Sequence, residues 1–207
     1  FPPFTDGDSL YGYPVLTGGT CTVVIYDKAM WKEAGYDEFP STWEDVEKAS
    51  SITDCSFSGS VNGNIQVGGI VGCVGLHNNV ERCSNTAAVT GKELIGGIAG
   101  ANSYGNIRYC RNTGTVGNDT AEQVGGIVGA HQNYAELIAS YNTGEVKGAD
   151  YIGGIAGNVY VASMPLGCYN VGSVSSGVYC GGAVGSFGGD DYITIKNGSF
   201  YQGPLPE

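Results

Sequence analysis

A Gly-Gly-apolar-apolar-Gly block recurs five times in this 207-residue chain, and no other feature restricts its fold so strongly. The copies are Val67-Gly68-Gly69-Ile70-Val71-Gly72, Ile95-Gly96-Gly97-Ile98-Ala99-Gly100, Val124-Gly125-Gly126-Ile127-Val128-Gly129, Ile152-Gly153-Gly154-Ile155-Ala156-Gly157 and Cys180-Gly181-Gly182-Ala183-Val184-Gly185. Their first glycines are spaced 28, 29, 28 and 28 residues apart. A second block lies between them, centred on Cys55, Cys83, Cys110, Ser140 and Cys168. An apolar residue or Pro stands three positions before each centre, and Val stands six after. A partial sixth copy follows at Ile195, Gly198 and Pro204. Self-similarity at this period marks stacked supersecondary units, none of which buries its apolar face alone.

Residue type decides which stack. The chain holds 36 glycines, and each Gly inside a helix costs about 0.5–1 kcal/mol. Short Val, Ile, Thr and Tyr runs bounded by Gly and Asn read instead as strands and turns. The expected fold is all-β: a β-solenoid (β-helix-like) of five to six coils of about 28 residues, rungs ~4.8 Å apart, over residues 51–207. Equivalent residues then form ladders. Cys55, Cys83, Cys110 and Cys168 share a column with Ser140 and read as small buried hydrophobes, although cross-coil disulfides are open to the same column. Asn85, Asn112, Asn142 and Asn170 read as a structural turn ladder.

The first fifty residues form a separate module, with both tryptophans, four of the seven prolines and only five glycines. Thr20–Tyr26 reads as a strand. Asp27 caps a helix over Lys28–Ala34, and Ser41-Thr42-Trp43-Glu44 opens another to about Ala49. Such a small α/β unit is suited to capping an open solenoid end.

The paired motifs Gly-Gly-Ile-Val-Gly and Cys-Tyr-Asn-x-Gly-x-Val resemble the GLUG repeat, over residues 51–203. That resemblance implies an exported or cell-surface bacterial protein in which the repeats act as spacers, stalks or adhesive modules. Residues 1–50 are similar to part of the extracellular solute-binding proteins of ABC sugar importers. The likeness rests on Asp6–Pro14, Ile25–Tyr36 and Pro40–Val46, including Tyr11-Gly12-Tyr13-Pro14 and Pro40-Ser41-Thr42-Trp43. It implies that this module either supplies part of a carbohydrate or solute cleft or survives only as a cap.

Chemistry is sparse. There is no His-Glu-x-x-His helix, no complete calcium loop and no Cys-x-x-Cys pair, so no metal, cofactor or catalytic residue is expected. His77 and His131 fall at different repeat offsets and read as exposed loop residues. The acids Asp54, Glu81, Glu93, Asp119, Glu122, Glu136, Glu145 and Asp150 read as a solvated surface at varied repeat positions. A net charge of −11 argues against nucleic acid as partner, and no apolar run is long enough for membrane insertion. The candidate ligand-binding residues are Tyr11, Tyr13, Tyr26, Trp31 and Trp43, since flat aromatic faces hold sugars and peptides. The function expected is a non-enzymatic, extracellular or cell-surface interaction module, with carbohydrate or a host or cell-surface protein as partner. The alternative is a solute-binding protein of an importer carrying a repeat insertion.

Overall fold

A computed structural model describes residues 4–6, 9–17, 20–24, 51–160, 163–176, 178–188 and 200–201, with backbone alone at both ends. The chain divides into two compact units, Phe1–Val46 and Glu47–Glu207. In the first unit, strands β1 (Phe4–Asp6), β2 (Ser9–Thr17) and β3 (Thr20–Val24) form an antiparallel sheet. Pro14 lies inside β2 opposite Val23, so the Tyr11–Pro14 segment is strand here. The expected helices over residues 28–34 and 41–49 lie outside the described residues.

The second unit is a parallel β-solenoid. Each coil contributes one short strand to each of five parallel sheets; in the third coil these are Asn106–Arg108, Arg111–Asn112, Val116–Gly117, Glu122–Gly125 and Val128–Gln132. Five coils stack this way, and Phe200–Tyr201 adds a sixth rung to the second sheet. No helix occurs among the described residues.

Register follows the sequence columns. Ile52, Val80, Ile107, Leu137 and Pro165 pair in the first sheet. Val61, Val89, Val116, Val146 and Val174 pair in the third. Val67, Ile95, Val124, Ile152 and Cys180 pair in the fourth. These columns fill two separate cores. One contains Ile98, Ile107, Ile127, Leu137 and Ile155 with Cys83, Cys110 and Cys168; the other contains Val89, Ile95, Val116, Val124 and Ile152.

Three glycines of the repeated block each meet a different obstacle. A methyl on Gly96 would sit 2.0 Å from the carbonyl oxygen of Ala99, within its own turn. On Gly97 it would lie 2.4 Å from Cγ of Asn112, and on Gly100 it would lie 2.5 Å from the backbone nitrogen of Val67. The block is therefore written by backbone contact within a turn, with the asparagine column and with the preceding coil. Elsewhere the chain turns its corners without glycine. Asp54, Arg82, Tyr109 and Ala139 share a left-handed conformation with φ of 56°, 51°, 56° and 46°, as do Gln66, Leu94, Gln123 and Tyr151 with φ of 53–56°. Such residues carry about 1–2 kcal/mol of strain each. Cross-rung bonds hold the first set, as where the Tyr109 N–H donates to the Ile138 carbonyl at 3.0 Å.

The second sheet carries the asparagine ladder. Asn85, Asn112, Asn142 and Asn170 are fully buried and in register. Nδ2 of Asn142 donates to Oδ1 of Asn170 and to the Gly144 carbonyl, both at 2.8 Å. Its Oδ1 accepts from Nδ2 of Asn112 at 2.7 Å and from the Gly144 N–H at 3.1 Å. The amide's two donors and two acceptor positions are all used. Asn142→Ala removes the acceptor of Asn112 and the donor to Asn170 at once. With unsatisfied buried groups costing about 1–3 kcal/mol each, urea denaturation should show a loss of about 3 kcal/mol. Asn142→Asp should not restore it, because a carboxylate cannot donate to Gly144 or Asn170.

Candidate interaction surface

Ladders that run through the core also run along the outside, and they place the side chains a partner would meet. The outward column of the second sheet reads Ser56, Ser84, Arg111, Tyr141 and Tyr169. Tyr141 and Tyr169 stack with ring centroids 5.0 Å apart and planes 4° from parallel. Tyr151 and Tyr179 stack in the same way, 5.0 Å apart and 13° from parallel. Isolated aromatic pairs prefer offset or edge-to-face packing; here the rung spacing sets the parallel arrangement. Tyr179 is 52% exposed.

Beside that second stack lies an acidic column. Glu93 pairs with Glu122 and Glu122 with Asp150. The reading of these acids as scattered is corrected here: each stands three residues before the first glycine of its block, a constant offset that the sequence already contained. Nε2 of Gln123 donates to Glu93 at 3.3 Å. Asp150 accepts the backbone N–H of Tyr151 at 3.0 Å, and its charge is the chief cause that raises the Tyr151 phenol above its usual value.

The first sheet's margin is ionic. Arg82 binds both carboxylate oxygens of Asp54 at 2.8 Å, holding that acid below its usual range. Arg108 bridges Glu81 and Glu136 from neighbouring coils. These pairs are largely exposed and contribute modestly to stability. A small cleft lined by Ile52, Val71, Cys73 and Val80 opens at the first two coils, and no acid, base or histidine lines it. Among the described residues no group of His, Cys, Asp and Glu is placed to hold a metal ion. No described helix is long and apolar enough to cross a membrane.

The residues singled out from sequence fall in three places. Tyr11 and Tyr13 lie on β2, where only the backbone is described. Tyr26, Trp31 and Trp43 lie outside the described residues. Cys83, Cys110 and Cys168 are buried, as is Ser140, while Cys55 in the first coil is exposed, which departs from a wholly buried column. Burial pushes the Cys110 and Cys168 thiols up to about 12 and about 11. Every member of the column donates to the carbonyl two residues earlier, as Cys110 does to Arg108 at 3.3 Å and Ser140 to Ile138 at 3.0 Å. The position thus requires a small side chain with a donor, which explains why Ser substitutes for Cys.

His77 is exposed, whereas His131 is fully buried, so its reading as an exposed loop residue is overturned. It occupies a column with Val74, Asn102 and Val159. That column stands six residues after the first glycine of each block, and its apolar members were the signal for burial. Nδ2 of Asn102 approaches Nδ1 of His131 at 3.4 Å, but Oδ1 of Asn102 and Nε2 of His131 have no partner.

The GLUG motif family model matches residues 91–117 of the chain. The matched segment is one repeat long, running from just before strand Glu93–Gly96 of the second coil to strand Val116–Gly117 of the third. No curated protein and no solved structure matches the chain significantly.

Desolvation pushes the His131 imidazole from its usual 6.5 down to about 3. The folded value is the lower one, so the unfolded chain takes up the proton first. The stability held by neutral His131 is complete above pH 6.5 and is lost as the pH falls toward 3. The slope is about 1.4 kcal/mol per pH unit. Urea titrations at pH 7 and 4.5 should therefore show the natural chain losing about 2–3 kcal/mol more than His131→Leu.

Proposed function

We propose that the solenoid is a non-enzymatic interaction module of an exported or cell-surface bacterial protein, serving as an adhesive face or stalk with carbohydrate as its partner. The observation that supports this reading is the pair of outward tyrosine stacks, Tyr141 with Tyr169 and Tyr151 with Tyr179, set at the rung spacing of the fold. Stacked phenol rings give flat apolar area with a polar edge, the combination sugar rings use. The neighbouring ladder of Glu93, Glu122 and Asp150 adds hydrogen-bond acceptors at the same repeat. A repetitive partner engages several rungs at once, which multiplies weak contacts into useful avidity. A host or cell-surface protein is the other partner class consistent with the reading. Nucleic acid is disfavoured by the net charge of −11.

The importer-receptor alternative rests on Tyr11, Tyr13, Tyr26, Trp31 and Trp43, and no finding favours it. Binding of the full chain to a glycan panel, followed by calorimetry on any hit, tests the proposal. The double variants Tyr141→Ala/Tyr169→Ala and Tyr151→Ala/Tyr179→Ala should leave the circular dichroism of the fold unchanged, and at least one should weaken binding about tenfold or more. A glycan that binds both variants at full strength would place the contact elsewhere, and a silent panel would leave the stalk role alone.

A further inference from the structure

Three reduced thiols occupy consecutive rungs where the second sheet begins. Ser56 pairs with Ser84, and Ser84 with Arg111. The residues just before them, Cys55, Cys83 and Cys110, therefore stack at about the 4.8 Å strand spacing. That lies within the Cα separation of roughly 4.4–6.8 Å that a disulfide spans. The side chains are aligned as well as the backbone. Each Sγ donates to the carbonyl oxygen two residues earlier, at 3.3, 3.2 and 3.3 Å for Cys55, Cys83 and Cys110. The Cys83 thiol also reaches across the rung to the Ile52 carbonyl at 3.5 Å. Ser140 takes the next place in the column and separates this run from Cys168.

Two features single out the first pair. Cys55 is exposed while Cys83 is buried, so only one of the two meets a reagent from solution. The residues preceding them are stapled together, because Arg82 holds Asp54 through two 2.8 Å bonds and the Ser84 N–H donates to the Cys55 carbonyl at 2.9 Å. The rung-to-rung register at this point is thus fixed by side chain and backbone alike.

We propose that Cys55 and Cys83 form an oxidative modification site, in which a small-molecule disulfide of the glutathione class converts the pair to a disulfide joining the first two coils. The Cys55 thiolate attacks one sulfur of the oxidant, forming a mixed disulfide and releasing one thiolate. Cys83, deprotonated in turn, attacks the Cys55 sulfur; the protein S–S bond forms, the mixed S–S bond breaks, and the second glutathione thiolate leaves. Two electrons pass from the protein sulfurs to the glutathione sulfurs, and the two protein protons end on the released thiols. Burial raises the Cys83 and Cys110 thiols alike, but Cys110 stands two rungs from Cys55, about 9.6 Å away and beyond the span of a disulfide.

Cys73 and Cys180 supply internal controls. Cys73 is exposed, but its rung neighbour is Ala101, so a mixed disulfide formed there has nothing in its column to resolve it. The rung neighbour of Cys180 is Ile152.

The test is incubation of the full chain with oxidised glutathione, followed by trapping of remaining thiols, proteolysis and mass spectrometry. The expected result is a Cys55–Cys83 cross-linked peptide, glutathione retained on Cys73, and Cys110 and Cys168 recovered as thiols. The oxidised chain should melt about 5–10 °C higher, because the bond closes a loop between the first two coils in the unfolded state. In Cys55→Ser, Cys83 should stay reduced. In Cys83→Ser, which keeps the donor that Ser140 supplies in the same column, Cys55 should retain glutathione. A natural chain that keeps glutathione on Cys55 with Cys83 reduced would overturn the proposal. So would a Cys55 that stays unmodified while Cys73 reacts, or a cross-link from Cys55 to any other cysteine.

Discussion

In-register pairing of each coil with the next is the constraint on which the solenoid depends. Every side chain has its own equivalent stacked above and below at about 4.8 Å. A position is filled well only by a residue that tolerates its own copy. Val and Ile satisfy this by apolar contact, and Asn does so because its amide is both donor and acceptor, so that Asn85, Asn112, Asn142 and Asn170 chain together at 2.7–2.8 Å. Tyr satisfies it by stacking. Stacked carboxylates do not, and like charges directly opposite destabilise a sheet. Glu93, Glu122 and Asp150 are accommodated on the outside, with Gln123 donating to Glu93 and Asp150 accepting backbone N–H groups.

The interior shows both outcomes for buried polarity. The Asn142 amide uses all its hydrogen-bonding capacity, so its burial costs little and fixes the turn that follows. The Asn102 and His131 pair, in a column otherwise occupied by Val74, Val159 and Phe187, leaves one polar atom on each residue unpaired. Asn and His are not mutually complementary in the way two asparagines are. Asn102 has a 3.4 Å contact to His131 and a 3.1 Å bond to the Glu136 carbonyl, both through Nδ2, against the four bonds that Asn142 makes. The first arrangement specifies the fold; the second makes it sensitive to protons.

Much of this architecture was legible in the sequence because the glycines are backbone signals. Gly96, Gly97 and Gly100 recur where a methyl would strike a carbonyl, an asparagine side chain or a preceding strand, so the period, the β class and the coil number could be read directly. The corners were less legible. Leu94, Tyr109 and Tyr151 adopt left-handed backbone that local propensity assigns to Gly or Asn. The outer surface was misread where residues were considered singly. The burial of His131 and the stacking of Glu93, Glu122 and Asp150 emerge once offsets from the block glycines are compared across all coils. Tyr141 with Tyr169, and Tyr151 with Tyr179, likewise stand at equal offsets in successive coils, so their stacking is legible in the same columns.

A solenoid built this way separates what folds it from what it displays. Along the second sheet the inward position is Asn in four successive coils, from Asn85 to Asn170, while the outward position one residue before it changes from Ser84 to Arg111, Tyr141 and Tyr169. The inward column is held by amide bonds that any outward side chain leaves intact, because successive residues of a strand face opposite sides. One end of the rod therefore presents small polar groups and the other presents rings, with no difference in the backbone that carries them. Such a scaffold accommodates a change of partner by substitution along one outer column, and the cost to stability is limited to whatever the new side chain does to its neighbours one rung away.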